Sequence, residues 1–219
     1  MAKYHPDTRF LTDFAAGSLP ESQALCVSAH LHYCASCRSK LNELSNLGAE
    51  LFTHLEPVET ADDAFSTLMD KIETGKEIKT ETIAFESVEK LPPAINKITR
   101  GNPDNLNWRH IGKSFKYSTV NTCDNNRETS LFHIKAGGNV PKHTHRSDEI
   151  TVVLKGSFSD QEDRYHVGDF IVRTKGEAHT PVASQDEDCL CLSTLDEPII
   201  MNNWFYRLLM PLFNRPTSA

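Results

Sequence analysis

The sequence predicts an α+β chain of two parts, a helical N-terminal domain followed by a small β-barrel. Three observations lead there. Apolar residues recur at helical spacing through residues 1–75. A charged stretch with two consecutive prolines follows over 76–95. Beyond it, short apolar runs alternate with period two between Gly- and Asp-rich turns. A length of 219 residues accommodates one large domain or two small ones, and we place the boundary so that 1–85 and 86–219 are the two units.

Each element has a local reason. Phe10, Leu11 and Phe14 predict a short first helix. Ser18-Leu19-Pro20-Glu21 reads as a capping box opening a second helix, carried on by Leu25, Ala29 and Tyr33. A third helical pattern runs from about Arg38 to His54 through Leu41, Leu44, Leu47, Leu51 and Phe52, and stops at Glu56-Pro57. Thr60 to Asp63 open a fourth, with Phe65, Leu68, Met69 and Ile72 on one side. Residues 76–95 are charged and poor in core residues and read as a linker. Strand-like runs follow at 130–134, 149–154, 170–172 and 189–192, close enough together for a sandwich or barrel.

Composition excludes several classes. Hydrophobic residues at 38% and charged residues at 24% are those of a globular chain, not a collagenous or wholly disordered one. A net charge of −7 argues against an overall basic nucleic-acid binder. The acidity sits in residues 1–85, with 7 Lys/Arg against 13 Asp/Glu, which suits a solvated face or a surface that docks on a basic protein. No apolar run approaches the roughly 18 residues of a membrane span. The first ten residues lack an apolar signal core, and six cysteines are too few for a disulfide scaffold. A cytoplasmic protein with reduced thiols is expected.

The first chemical motif is His30-x3-Cys34-x2-Cys37. On a helix, His30 and Cys34 lie one turn apart on one face, with Cys37 still within reach. Thiolate and imidazole together suit tetrahedral zinc. A structural site needs a fourth ligand, and Cys26, His5, His32 and His54 are candidates. Spacing alone favours Cys26, one turn before His30. A thioredoxin-like pair is disfavoured because no βαβ pattern surrounds the two cysteines.

The second motif lies in the β part. Gly137-x5-His143-x-His145-x3-Glu149-x6-Gly156 fits the first cupin motif, and Gly168-x5-Thr174-x-Gly176-x2-His179 fits the second. Thr174 stands where the cupin pattern usually has Pro, and no Asn follows His179. His143 and His145 alternate on an extended segment, so both rings face one way. With Glu149 and His179 they offer three imidazoles and one carboxylate, a set suited to Zn, Fe, Mn, Ni or Cu. The fold expected for the C-terminal part is therefore a cupin β-barrel, the double-stranded β-helix.

Tyr4-His5-Pro6-Asp7, Ala15 to Pro20 and His30-x3-Cys34-x2-Cys37 resemble the zinc-binding anti-sigma domain. With the cupin behind them, the chain resembles ChrR-type anti-sigma factors. That resemblance implies a four-helix zinc-binding domain whose ligands match His5, His30, Cys34 and Cys37, so His5 replaces Cys26. It implies zinc, or another divalent metal, at His143, His145, Glu149 and His179. It implies a regulator rather than an enzyme, with no catalytic residue; the net charge of −6 over residues 1–85 argues against a DNA-binding zinc finger and so against direct nucleic-acid binding, and the lack of an apolar span against a membrane. The implied partner is an extracytoplasmic-function sigma factor, kept from RNA polymerase until singlet oxygen or organic peroxide releases it. A cupin metalloenzyme of dioxygenase type with an N-terminal zinc module is the competing reading.

Weaker signals remain. Cys189 and Cys191 lie on one face of a strand, as a redox pair, as neighbours of the metal or as small core residues, and the last is favoured. Cys123 reads as a loop thiol. His32, His54, His110, His133 and His166 stand outside any constellation. The apolar run 202–213 reads as a tail packed on its own domain.

Overall fold

The computed structural model describes residues 2–75, 91–124 and 127–196, together with the backbone of 200–201. The linker expected at 76–95 falls mostly outside the described residues, as does the apolar run 202–213. Helix α1 (Thr8–Ala15) is capped by Asp7, whose carboxylate accepts the Phe10 amide at 2.9 Å. Helix α2 (Glu21–Tyr33) starts after Pro20, with no side-chain cap. The expected capping box does not form, because the Ser18 hydroxyl turns back to the Asp13 carbonyl at the end of α1. Helix α3 (Ala35–Thr53) and helix α4 (Ala64–Thr74) complete the helical part of residues 1–75.

A fifth helix, α5 (Pro93–Thr99), lies where the end of the linker was expected. Proline is tolerated in the first helical turn, so Pro92-Pro93 opens a helix rather than a spacer. Its Ile95 is fully buried and Leu91 nearly so.

The β part contains β1 (Arg109–Ile111), β2 (Phe115–Val120), β3 (Glu128–Ile134), β4 (His143–Thr144) and β5 (Glu149–Lys155). It continues with β6 (Ser157–Ser159), β7 (Arg164–His166), β8 (Phe170–Arg173), β9 (Val182–Ala183), β10 (Cys189–Leu195) and β11 (Ile200–Met201). One antiparallel sheet runs β1-β2-β3-β10-β5-β8, a second runs β7-β6-β9, and β4 pairs with β11. All four strand runs expected from the sequence lie inside β3, β5, β8 and β10. Strand β2 and the short strands were not anticipated, being half polar or too short to show a period.

The six-stranded sheet is buried on both faces. One face packs Phe115, Tyr117, Ile134, Val153 and Cys191 against Phe158, Tyr165 and Ala183 of the smaller sheet. The other packs Val120, Leu131, Ile150, Val152, Leu190 and Leu192 against Cys26, Val27 and Leu31 of α2 and Ile95 of α5. This double burial explains why β10 is buried at every position and β5 at all but Lys155. The helical and β parts thus share one core, with α2 at its centre. No helix among the described residues is long and apolar enough to cross a membrane.

Candidate metal centres

The first cluster forms where α2 ends. Cys34 adopts extended backbone, closing α2 and preceding α3, so the His30–Cys37 motif straddles two helices rather than lying on one. The break lets the side chains converge. Potential ligand atoms of His5, His30, Cys34 and Cys37 all lie within 4.8 Å of one another. The His5 Nδ1 is 3.4 Å from the Cys34 sulfur and 3.5 Å from that of Cys37. The His30 Nε2 is buried without a hydrogen-bond partner, as expected of a nitrogen reserved for a metal. Burial works against ionisation of Cys34, but the Ser36 hydroxyl and the backbone N–H of Cys37 hold its pKa below the ordinary thiol value. Burial and the neighbouring Cys34 push Cys37 up to about 11. Two thiols and two imidazoles so placed fit a tetrahedral zinc ion.

Cys26, favoured by spacing alone, is buried and stands outside this group. Its side chain belongs to the core that α2 forms with the sheet, and burial pushes its thiol far up. His54 is exposed and bonds the Glu50 carbonyl near the end of α3, and His32 packs edge-on against Tyr33.

The second cluster lies between the two sheets. His143, His145, Glu149 and His179 are all buried and close together. The His179 Nε2 is 2.9 Å from that of His143 and 3.0 Å from that of His145. The His143 Nδ1 donates to the Pro141 carbonyl at 2.8 Å, so its Nε2 presents a bare lone pair to the others. The Ser193 hydroxyl occupies Glu149 Oε1 at 2.7 Å, leaving Oε2 to face His145 at 3.1 Å. Converging lone pairs beside a carboxylate fit a divalent cation. Burial disfavours the Glu149 charge, yet the His145 hydrogen bond and the surrounding imidazoles bring its pKa down to about 2. Burial is the main cause holding His143 down to about 4.

Several supporting residues carried no sequence signal. Asp160 lies 3.5 Å from the His179 Nδ1 and pairs with Arg173 at 2.6 Å. Ser193 and Ser36 are small polar residues with nothing in their spacing to mark them. A chamber lined by Phe132, Ile134, Val140, Phe158 and Cys191 opens beside His143, Glu149 and His179. The sulfurs of Cys189 and Cys191 lie 3.5 Å apart and buried.

A helical part with a Cys/His cluster, fused to a β domain holding three imidazoles and a carboxylate, defines the class of chain. Residues 97–197 match the family of ChrR cupin-like domains, and this β part is a cupin-like domain. The whole chain is similar to the anti-sigma-E factor ChrR of Cereibacter sphaeroides, with 29% identity over 211 residues, 96% of this chain and 98% of that one. It also resembles the crystal structure of Rhodobacter sphaeroides SigE in complex with the anti-sigma ChrR. There the TM-score is 0.78 and the identity 28%, over 89% of this chain and 99% of that one. The resemblance to ChrR-type anti-sigma factors therefore runs through both parts of the chain.

Proposed function

We propose that this chain is a cytoplasmic anti-sigma factor that sequesters an extracytoplasmic-function sigma factor and releases it under oxidative stress. The observation that carries this is the surface of α3 and α4. Leu47, Leu51, Phe52, Phe65, Leu68 and Ile72 are all more than half exposed, and no residue of α4 is buried. An apolar stripe of this size on an isolated chain needs a protein to cover it. The similarity to a chain crystallised with SigE supplies the class of partner.

In this reading residues 1–85 form the four-helix sigma-binding unit, and a zinc ion at His5, His30, Cys34 and Cys37 would fix the junction of α2 and α3 against the chain before α1. Residues 86–219 form the cupin barrel, in which His143, His145, Glu149 and His179 hold zinc or another divalent metal. A metal bound there would supply a Lewis-acidic centre beside the chamber, in a role of response rather than turnover. No residue is assigned a catalytic role. The competing enzyme reading draws on that same apolar-walled chamber, whose free volume of about 30 Å³ is far below that of an ordinary small-molecule site.

Co-expression of the tagged chain with an extracytoplasmic-function sigma factor tests the proposal. Recovery of an equimolar complex that cannot bind core polymerase is expected. A chain that purifies alone and turns over a small molecule with iron or manganese would establish the enzyme reading instead.

A further inference from the structure

The groups that hold two of the four residues of the helical cluster in place come from the β domain. We propose that the Gly168–Asp169 turn preceding β8 is the positioning element of the helical metal site, orienting His30 and placing His5. This rests on reading His5, His30, Cys34 and Cys37 as a metal site.

The contact to His30 is direct. Its Nδ1 lies 2.6 Å from the Gly168 carbonyl oxygen. A carbonyl only accepts, so Nδ1 carries the proton and Nε2 keeps the lone pair that turns toward His5 and the thiols. A second hydrogen bond of this kind fixes the tautomer and ring orientation of metal-ligating histidines. The approach is close enough to demand glycine. Gly168 has φ +91°, and a Cβ there would sit 2.7 Å from the Tyr33 Cβ on α2 and 3.6 Å from the Ala2 Cβ.

The contact to His5 runs through the backbone. Asp169 is fully buried. Its Oδ1 accepts the amides of Lys3 at 2.6 Å and Tyr4 at 3.1 Å, and its Oδ2 accepts that of His166 at 2.8 Å. The Phe170 amide donates to the Tyr4 carbonyl at 3.0 Å. Residues 3 and 4 are therefore tied from both sides, and His5 follows them. The His5 side chain is exposed, and the ring contact it makes is edge-on to His30 itself. Without the turn, the cluster keeps Cys34 and Cys37, set by the α2–α3 junction, and loses the constraint on both histidines. The turn continues into β8, whose Arg173 pairs with the Asp160 that faces His179. One short strand thus adjoins both clusters.

Cobalt(II) loading of the full-length chain tests this, because only the helical site has thiolates to produce a sulfur-to-cobalt charge-transfer band. Asp169→Ala is expected to weaken cobalt at that site about 10- to 100-fold in chelator competition and to shift its bands. The barrel-site cobalt bands stay in place, and Asp169→Asn, which keeps one accepting oxygen, recovers part of the affinity. If Asp169→Ala does not fold, Gly168→Ala, which pushes the carbonyl away from His30, gives the same readout. Wild-type affinity and bands in a folded variant would overturn the positioning role. Failure of the metal-site reading looks different: wild type itself would lack the charge-transfer band, and Cys34→Ser/Cys37→Ser would bind as much cobalt.

Discussion

Replacing Phe65 and Leu68 together by Ala isolates the contribution of the α4 stripe to sigma binding. In the free chain Phe65 is 75% exposed and Leu68 is 55% exposed. Complete burial of such a side chain is worth about 2 kcal/mol, so covering what remains exposed contributes about 1.5 kcal/mol for Phe65 and about 1 for Leu68. Losing both weakens the complex by about 2.5 kcal/mol, or about 70-fold in Kd. Titration calorimetry with a purified extracytoplasmic-function sigma factor measures the change. Thermal unfolding of the free variant should match wild type, since no α4 residue is buried there. An unchanged Kd would refute docking through α4. A lowered Tm in the free chain would show that the stripe is packed internally.

Three further outcomes are expected. Cys34→Ser/Cys37→Ser loses one metal equivalent by elemental analysis while Cys26→Ser keeps it; the opposite result would return Cys26 to the ligand set. In the metal-free chain stability falls in acid: the folded pKa of His143 is below its ordinary 6.5, so the unfolded chain takes up the proton first and stability drops as pH falls from 6.5 toward about 4. That step is worth about 3 kcal/mol. Glu149 extends the loss from 4.5 toward about 2, because its folded pKa is also depressed. Melting curves across pH follow both, and His143→Gln should flatten the upper limb. Ile95→Ala, at a fully buried position, should cost about 3 kcal/mol and lower Tm by about 6–12 °C. A shift under 2 °C would show that α5 is not part of the shared core.

Much of this was legible because the chemistry is local in sequence. The His30–Cys37 spacing and both cupin motifs keep ligands within a few residues, and the six-stranded sheet announces itself through apolar runs at β3, β5, β8 and β10. What stayed hidden depends on distant segments meeting. Cys26 has good helical spacing to His30, yet it serves the α2–sheet core, and periodicity cannot show that a helix also faces a sheet. His5 stood as one candidate among four and was preferred over Cys26 only through resemblance, because its placement depends on the turn at Gly168 and Asp169 far along the chain. Ser18 fits a capping box by spacing, but the end of α1 competes for its hydroxyl. Pro92-Pro93 carries the same letters whether it breaks a chain or opens a helix, and burial of Leu91 and Ile95 decides between them.

The proposed function couples sigma sequestration by the helical part to release governed by the barrel metal. Native mass spectrometry of the chain co-expressed with its sigma factor, before and after organic hydroperoxide, tests it most directly. Wild type is expected to form a one-to-one complex carrying a metal ion at each centre and to dissociate on treatment. His143→Ala should form the same complex with one metal fewer and stay associated. A His143→Ala complex that dissociates as readily as wild type would contradict the barrel's role and move the oxidant target to Cys34 and Cys37.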